Sequence, residues 1–339
     1  MMGSSNITIN KGKLDSLVGI LRGLNIPREI ENPPNFVPPK IHSRELANIY
    51  LFLVAICHQT SSLGEKRLQG KIAGKTRAGW DYLKEKLFQE IVSQSDLISP
   101  TSWESLTPER LSNLYQDREV GLTLNRINER TFLINDLGKR LIVDGFEYID
   151  MAFDKAAKTL QGSGGFLNYL AGFLAYSDPL RKKSYFFLSL VGNECGWKPR
   201  DAEAILSPVD YHEVRGHLRI GTAKILDKNL ERKIRLGLVI TETEDFQLRS
   251  CIQEIMGQIS SETGLTNSQL HYYFWNVFRN CCPRNPQDTH CTACPSTCGL
   301  PHAYRKASLH EDRCTFSDIC NSAGKETKVM DPPYIGHYY

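Results

Sequence analysis

Apolar side chains recur at helical spacing along most of the chain. In 43–57, a serine cap and Glu45 precede apolar residues that return every three to four positions, as in an amphipathic helix. The same spacing predicts a short helix at 14–24 and longer ones at 78–93, 107–116, 127–143, 148–160, 165–175, 183–193, 202–206, 212–220, 228–236, 244–264 and 268–279. Alternating strand patterns with hairpin turns are almost absent, so the pattern predicts an all-α protein.

Length and composition narrow the class of protein. At roughly 100–200 residues per domain, 339 residues allow two or three domains with a sizeable core. No apolar run approaches the ~20 residues of a membrane-spanning helix, and the first residues lack the features of a signal peptide. We therefore expect a cytoplasmic, nucleoid-associated monomer that does not enter a membrane.

Positive charge is concentrated in the segment 176–236. It contains twelve Lys and Arg against eight Asp and Glu, an excess of four, whereas the whole chain has a net charge of +3. A local basic field is the first requirement for binding phosphates, although a solvated helix face would give the same count.

Cysteines are clustered as well, since seven of the ten lie between 281 and 320. A disulfide scaffold would be short and secreted, so clustering in a large chain of this kind indicates metal binding instead. Four thiolates suit a four-iron iron–sulfur cluster or a structural zinc ion. The candidate ligands are Cys282, Cys291, Cys294, Cys298, Cys314 and Cys320.

The most informative stretch is SPVDYHEVRGHLRIG at 207–221. Pro208 ends one element, and Asp210 takes the N-cap position of the next helix. The dipole and free N–H groups of a helix N-terminus favour an ionised carboxylate, which a reaction with a cationic transition state requires. Asp210 is therefore either the catalytic group or only a helix cap.

The pattern P-V-D-Y-H-x-x-R-x-x-x-R-x-G in this stretch resembles the signature of helix-hairpin-helix DNA glycosylases. In that family the aspartate is the catalytic carboxylate, which implies this role for Asp210. Tyr211, His212 and Arg215 would then line the base pocket or contact DNA, although the two rings could equally pack in the core.

Two other stretches resemble the family in the same order. AICHQTS at 55–61 is similar to the segment that fills the gap left by a flipped base, which implies DNA contact for His58 and Gln59 unless they only cap a helix. PLRKKSYF at 179–186 is similar to the hairpin and the next helix, where bifunctional members carry a nucleophilic lysine. By position this is Lys183, with Lys182 as the alternative; Arg181 and Lys182 would contact DNA, and Lys183 could also be only a phosphate contact.

The chain departs from the family pattern at the hairpin. Its usual Gly-x-Gly is replaced by YSDPL at 176–180, and Lys183 and Asp210 are 27 residues apart, more than in typical members. Both features look closer to the archaeal 8-oxoguanine glycosylases. The Asp-Tyr motif is also similar to that of queuosine-salvage glycosylases, and the Cys cluster looks like a stretched form of the iron–sulfur loop of endonuclease-III-like enzymes.

The resemblance implies a two-lobed helix-hairpin-helix glycosylase fold with a Cys-rich metal-binding C-terminal module. The predicted parts are a Pro-rich arm (1–42), a helical lobe (43–60 with 211–280), a helical barrel with the hairpin (61–210), the Cys-rich module (281–323) and a mobile tail (324–339).

The implied activity is excision of a damaged or modified base from duplex DNA by base flipping and N-glycosidic cleavage, with lyase activity if Lys183 is the nucleophile. Two alternatives stay open, namely an antiviral glycosylase that acts on hypermodified phage bases and a queuosine-type nucleoside or nucleotide glycosylase.

Overall fold

Helices dominate the computed structural model, which describes residues 6–27, 41–60, 66–284, 293–294, 299–310, 312–325, 329, 331 and 333–338. They account for 55% of the described residues, against 6% in strands, which confirms the predicted all-α class. No helix in these ranges is both long enough and apolar enough to span a membrane.

The helices of the described chain are α1 (Lys11–Arg22), α2 (Ser43–Ala55), α3 (Trp80–Ser93), α4 (Pro100–Glu104), α5 (Pro108–Leu114), α6 (Ile127–Val143), α7 (Ile149–Lys155), α8 (Phe166–Ala171), α9 (Lys182–Glu194), α10 (Tyr211–Ile220), α11 (Lys228–Leu236), α12 (Glu242–Thr263), α13 (Asn267–Asn280) and α14 (His302–Lys306). Short 3-10 turns lie at Ser95–Ile98, Leu174–Tyr176 and Ala202–Ala204.

In the described part of the chain, six short strands form three antiparallel pairs that the sequence pattern did not predict. They are β1 (Ile7–Ile9), β2 (Gln69–Ile72), β3 (Lys75–Ala78), β4 (Gln116–Asp117), β5 (Gly121–Leu122) and β6 (Ala223–Ile225). β2 pairs with β3 and β4 with β5, whereas β1 pairs with β6 across most of the chain. Strands of two to four residues are too short to show an alternating pattern, which explains why they were missed.

The chain divides into two compact units. We call Met1–Glu31 with Ile205–Ile335 the Asp210 unit, and Asn32–Ala204 with Gly336–Tyr339 the Lys183 unit. These boundaries differ from the predicted lobes, because residues 43–60 group with the barrel segment and not with 211–280. The reason is the apolar surface of α2, which is buried from Leu46 to Ala55 and packs against α6, α7 and α9 of the same unit.

The N-terminal residues also differ from the predicted arm, since 6–27 belong to the core of the Asp210 unit. α1 begins at the cap Asn10, whose side chain accepts a hydrogen bond of 3.3 Å from the N–H of Lys13. Its buried side chains, at spacings of three and four, pack against α12 and are Leu14, Leu17, Val18 and Leu21. An amphipathic stripe of this kind folds into a core.

Around the Asp210 motif, α10 packs against α12 and α13. Gly216 permits the close approach of α13, since a Cβ at this position would lie 2.3 Å from the ring of Phe278. α10 ends at Ile220 and is capped by Gly221, whose φ of +95° is a left-handed conformation that glycine adopts readily. The helix that carries the candidate aspartate is therefore fixed at its face and at its end.

Candidate functional site

Asp210 is the residue before α10, and the start of that helix holds its carboxylate. Oδ1 accepts a hydrogen bond of 2.6 Å from the N–H of His212, and the N–H of Asp210 donates to Glu213 Oε2 at 3.1 Å. The Asp210 side chain also accepts from the N–H of Glu213, and this bond together with the one from the Asp210 N–H to Glu213 forms a capping box. Only 7% of Asp210 is exposed, so the carboxylate is both nearly buried and tied to the backbone.

The other carboxylate oxygen of Glu213 connects the capping box to α13. Glu213 Oε1 lies 2.7 Å from Nδ1 of His271, and both side chains are buried. The sequence analysis did not single out either residue. The glutamate three positions after an aspartate cap is a recognisable signal, whereas the histidine is brought in only by the packing of α13.

Arg215 is buried, and all three nitrogens of its guanidinium make contacts inside the Asp210 unit. It forms an ion pair with Asp331, which is 2% exposed and pairs with Arg284 as well. Its other N–H groups donate to the carbonyls of Cys282 (2.6 Å) and Phe278 (3.1 Å) and to Nδ1 of His212 (2.8 Å). Arg215 thus occupies a structural position here, rather than that of the predicted DNA contact.

Tyr211 and His212 are half-buried and follow Asp210 directly. Burial lowers the pKa of His212 well below its usual value, although the charge of Asp210 acts in the opposite direction. Burial also raises the pKa of Tyr211 to about 12. Since Nδ1 of His212 accepts from Arg215, the ring proton lies on Nε2. The two predicted pocket residues are therefore neutral rings beside a fixed carboxylate.

The predicted metal ligands are only partly visible. Cys291 and Cys298 lie outside the described residues, and among the residues that the structure describes no group of three or more His, Cys, Asp or Glu side chains is arranged to hold a metal ion. The metal therefore stays a prediction. The described members of the candidate set are Cys282, Cys294, Cys314 and Cys320.

Two of these cysteines contact Arg219, which is buried on α10. Its Nη1 donates to Cys282 Sγ at 3.2 Å, and Cys320 Sγ donates to its carbonyl oxygen at 3.3 Å. The same side chain donates to the carbonyls of Pro283 (2.8 Å) and Val329 (2.8 Å). The helix that carries Asp210 is thus joined directly to the start of the Cys-rich segment.

Lys183 lies in α9 and is completely buried in the Lys183 unit. Its Nζ donates to the carbonyl of Ala55 at 2.6 Å and lies 3.3 Å from Nδ1 of His58. Burial lowers the pKa of this lysine to about 7; Lys182 and Arg130 add to the lowering, whereas Cys57 and Glu129 oppose it. A large fraction of the side chain is therefore an uncharged amine at neutral pH.

His58 lies between Lys183 and Glu129. Its Nε2 is 2.9 Å from Glu129 Oε1, and the ring is completely buried, which lowers its pKa well below the usual value. The position differs from the exposed one that DNA contact would require. Gln59 follows with a positive φ of +50° and a half-buried side chain.

The turn before α9 also differs from a phosphate-binding hairpin. Buried Asp178 accepts hydrogen bonds from the N–H groups of Leu180 (3.2 Å) and Lys182 (3.0 Å). These donors at the helix N-terminus are therefore already occupied by a carboxylate. Lys182 is itself buried, and Arg181 donates to Asn168 Oδ1 at 2.8 Å.

The predicted site residues thus form two groups, one in each unit. Asp210, Tyr211, His212 and Arg215 lie together around the start of α10, and His58 and Lys183 lie together with Glu129 in the other unit. The sequence analysis missed Glu129 and Asp331. No family model matches the chain, and no curated protein matches it significantly.

The buried lysine makes stability depend on pH in a testable way. Between pH 7 and 10.5 the unfolded chain carries a proton on Lys183 that the folded chain largely lacks, so the free energy of unfolding should rise with pH by roughly 1 kcal/mol per unit from this group. Below pH 7 both states are protonated and the slope from Lys183 vanishes. Urea unfolding of wild type and Lys183→Met between pH 6 and 9.5 measures the difference.

We expect the stability of wild type relative to Lys183→Met to increase with pH across that range. The matched control is Ser184→Ala, which changes the next buried position without removing a titratable group. Its stability difference from wild type should not depend on pH. A constant difference for Lys183→Met would contradict the lowered pKa.

Proposed function

We propose that this chain is a DNA glycosylase that flips a damaged or modified base and cleaves its N-glycosidic bond. The observation that carries the proposal is Asp210, a nearly buried carboxylate that a capping box holds at the start of α10. It lies within the one motif of the sequence that closely resembles the glycosylase signature. The helix-hairpin-helix fold is part of the same proposal.

The proposed chemistry places a negative charge beside a sugar that becomes positive. As the bond from C1′ to the base breaks, the electron pair leaves with the base and the sugar becomes oxocarbenium-like. A preorganised carboxylate stabilises this charge without having to reorganise during the reaction. Water then adds to C1′ and loses a proton to solvent, the departed base takes up a proton from solvent, and the products are a free base and an abasic site.

Lys183 is the proposed nucleophile of a lyase step. It attacks C1′ either in place of water or after water has produced the abasic site. An amine with a pKa of about 7 is available in its neutral form at physiological pH. Since Nζ is enclosed in the structure, side chains around it must move aside before a sugar can reach it. Without that movement the enzyme would be monofunctional and leave the abasic site intact.

Phosphate contacts are proposed for the exposed part of the basic segment. Four of its twelve basic side chains are buried, which removes them from the charge available to a nucleic acid; they are Lys182, Lys183, Arg215 and Arg219. The exposed set on and beside α11 consists of Lys224, Lys228, Arg232 and Arg235. Contacts from such a face would bind duplex DNA with strong salt dependence and little sequence preference.

The Cys-rich segment is proposed to hold a structural iron–sulfur cluster or zinc ion. Its contacts with Arg219 support a role in fixing α10. The proposed reaction does not depend on the metal.

One observation favours a second candidate, a queuosine-type nucleoside or nucleotide glycosylase. The turn before α9 is capped by Asp178 and its Lys182 is buried, so the DNA contact expected of Lys182 is not available in this turn. A small substrate needs no strand contacts, and the role of Asp210 would be the same.

The test is mass spectrometry of bases released by the wild-type protein. The substrates are DNAs with oxidised, deaminated or alkylated bases, hypermodified phage genomic DNA, and free nucleosides. Release from a DNA supports the proposal and names the base: an oxidised purine would agree with the archaeal resemblance, and a phage base with antiviral defence. Cleavage of free nucleosides alone would support the second candidate, and no release from any substrate would contradict both.

A further inference from the structure

Three side chains of the Lys183 unit form a hydrogen-bonded chain. Lys183 Nζ lies 3.3 Å from Nδ1 of His58, and Nε2 of the same ring lies 2.9 Å from Glu129 Oε1. Lys183 and His58 are completely buried, whereas the glutamate side chain is 31% exposed. The chain therefore runs from an enclosed amine to a carboxylate at the surface.

The carboxylate determines which ring nitrogen of His58 carries the proton. Glu129 can only accept, so Nε2 is the N–H donor and Nδ1 presents its lone pair to Lys183. Arg126 pairs with Glu129 and fixes the carboxylate. The amine then donates one N–H to the Ala55 carbonyl and one toward Nδ1.

The segment that carries His58 is itself held by a buried guanidinium. Arg130 donates to the carbonyl of His58 at 2.8 Å and to the carbonyl of Ile56. It also donates to Asn125 Oδ1 at 2.7 Å. Because α6 supplies both this arginine and Glu129, one helix fixes the backbone and the ring of the histidine.

We infer that His58 accepts the proton that Lys183 releases during attack on C1′, and that Glu129 is a positioning residue that holds His58 in the required tautomer. This inference rests on the lyase step of the proposed function. It assigns His58 a role in proton transfer in place of the DNA contact that the sequence implied.

Attack of Lys183 on C1′ forms one bond and breaks another. The lone pair of Lys183 Nζ forms a bond to C1′ while the bond from C1′ to the leaving group breaks and its electron pair departs with that group. At an existing abasic site the leaving group is the hydroxyl of C1′, which departs as water with a proton from solvent. The positively charged Nζ then loses a proton to Nδ1 of His58, whose Nε2 stays hydrogen-bonded to Glu129. The nitrogen lone pair next forms a double bond to C1′ while the bond from C1′ to the ring oxygen breaks, and that oxygen keeps the electron pair and takes up a proton from solvent, which leaves a protonated Schiff base.

The groups that face Lys183 determine how the rate varies with pH. They come from the end of α2, from α6, from α9 itself and from the C-terminal segment, and they are Cys57, His58, Glu129, Arg130, Lys182 and His337. Glu129 raises the pKa of Lys183, so its neutralisation lowers that pKa further. The pH at which the rate reaches half its maximum, near 7 in wild type, should then move to lower pH.

The experiment uses a duplex oligonucleotide with a single abasic site and sodium cyanoborohydride, which reduces a Schiff base to a stable covalent adduct. No base needs to be excised, so the assay is independent of base specificity. We expect an adduct with wild type and none with Lys183→Met. His58→Gly should form it at least about 100-fold more slowly, within the usual range for general-base catalysis, and added imidazole should restore at least about a tenth of the lost rate.

Glu129→Gln should form the adduct about ten-fold more slowly, with the half-maximal rate at lower pH. If circular dichroism shows that His58→Gly does not fold, Glu129→Gln becomes the test of the inference. It changes only the charge of a partly exposed side chain. The matched control is Glu194→Gln, which removes the partner of Lys84 elsewhere in the same unit and should change the rate less than two-fold.

Several outcomes would overturn the inference: no adduct with wild type, an unchanged rate for Glu129→Gln, or a slow His58→Gly that imidazole does not rescue. The first would leave base release through Asp210 untouched. An adduct in the absence of any base release would contradict the glycosylase proposal but not the role of His58 in proton transfer.

Discussion

Replacing Asp210 by asparagine is expected to slow base release by about 100- to 1000-fold, the scale on which one preorganised electrostatic group contributes. Asparagine is as good an N-cap as aspartate, so the hydrogen bond to the N–H of His212 can persist and α10 should fold normally. The substitution therefore removes the negative charge and little else. Single-turnover rates on the DNA that wild type cleaves, together with its binding affinity, measure the effect.

The matched control is Asp227→Asn. Asp227 is the N-cap of α11, and its Oδ1 accepts from the N–H of Leu230 at 2.8 Å, so the same chemical change is made at a second aspartate cap. Because α11 carries proposed phosphate contacts, the comparison is made at saturating DNA, where we expect the single-turnover rate of base release to stay within two-fold of wild type. Full activity of Asp210→Asn would reduce Asp210 to a helix cap and remove the main support for the proposed function.

The fold was predictable where the sequence carries a local signal. α6 and α11 have the predicted bounds of 127–143 and 228–236, because each shows apolar residues at helical spacing over two turns or more. The pairing of β1 with β6 was not predictable, since three residues near the N-terminus meet three residues more than 200 positions later. The grouping of α2 likewise depends on which helices cover its apolar surface.

The residues of the candidate site also differ in how well the sequence predicts them. Asp210 was found because an N-cap signal and a motif coincide within a few residues, and the structure places it in the predicted cap. Arg130 had a usable signal that was overlooked, since it lies on the apolar face of α6 with Ile127 and Ile134. The sequence carried no signal for the counter-ion of Arg215, because Asp331 lies in a polar, proline-containing tail 116 residues away.

That tail was expected to be mobile, yet its described residues make specific contacts. Asp331 pairs with Arg215 and Arg284 in the Asp210 unit, and the carbonyl of Pro333 accepts from the N–H of Ile240 at 3.0 Å. Since Arg215 lies on α10 and Asp210 caps the start of the same helix, the position of Asp210 depends on a residue far away in the sequence. We therefore expect the free energy of unfolding to depend strongly on Asp331.

Asp331→Asn is therefore expected to destabilise the protein by about 3–5 kcal/mol, the usual cost of removing one partner from a buried ion pair. Two guanidinium groups would lose their counter-ion, and Arg215 has almost no exposed surface through which water could compensate. The free energy of unfolding in urea, followed by circular dichroism, measures the loss.

The control is Asp318→Asn. This carboxylate also lies near an arginine and a histidine, Arg313 and His310, but its side chain is 55% exposed, so its loss should cost less than about 1 kcal/mol. A double-mutant cycle with Arg215→Met separates the ion pair from general damage. We expect Arg215→Met to cost about 1–3 kcal/mol less in the Asp331→Asn background than in wild type, because the charge it removes no longer has a partner there. Equal costs in the two backgrounds would show that the pair does not hold α10, and the position of Asp210 would then depend on the capping box and on the packing of α10 against α12 and α13.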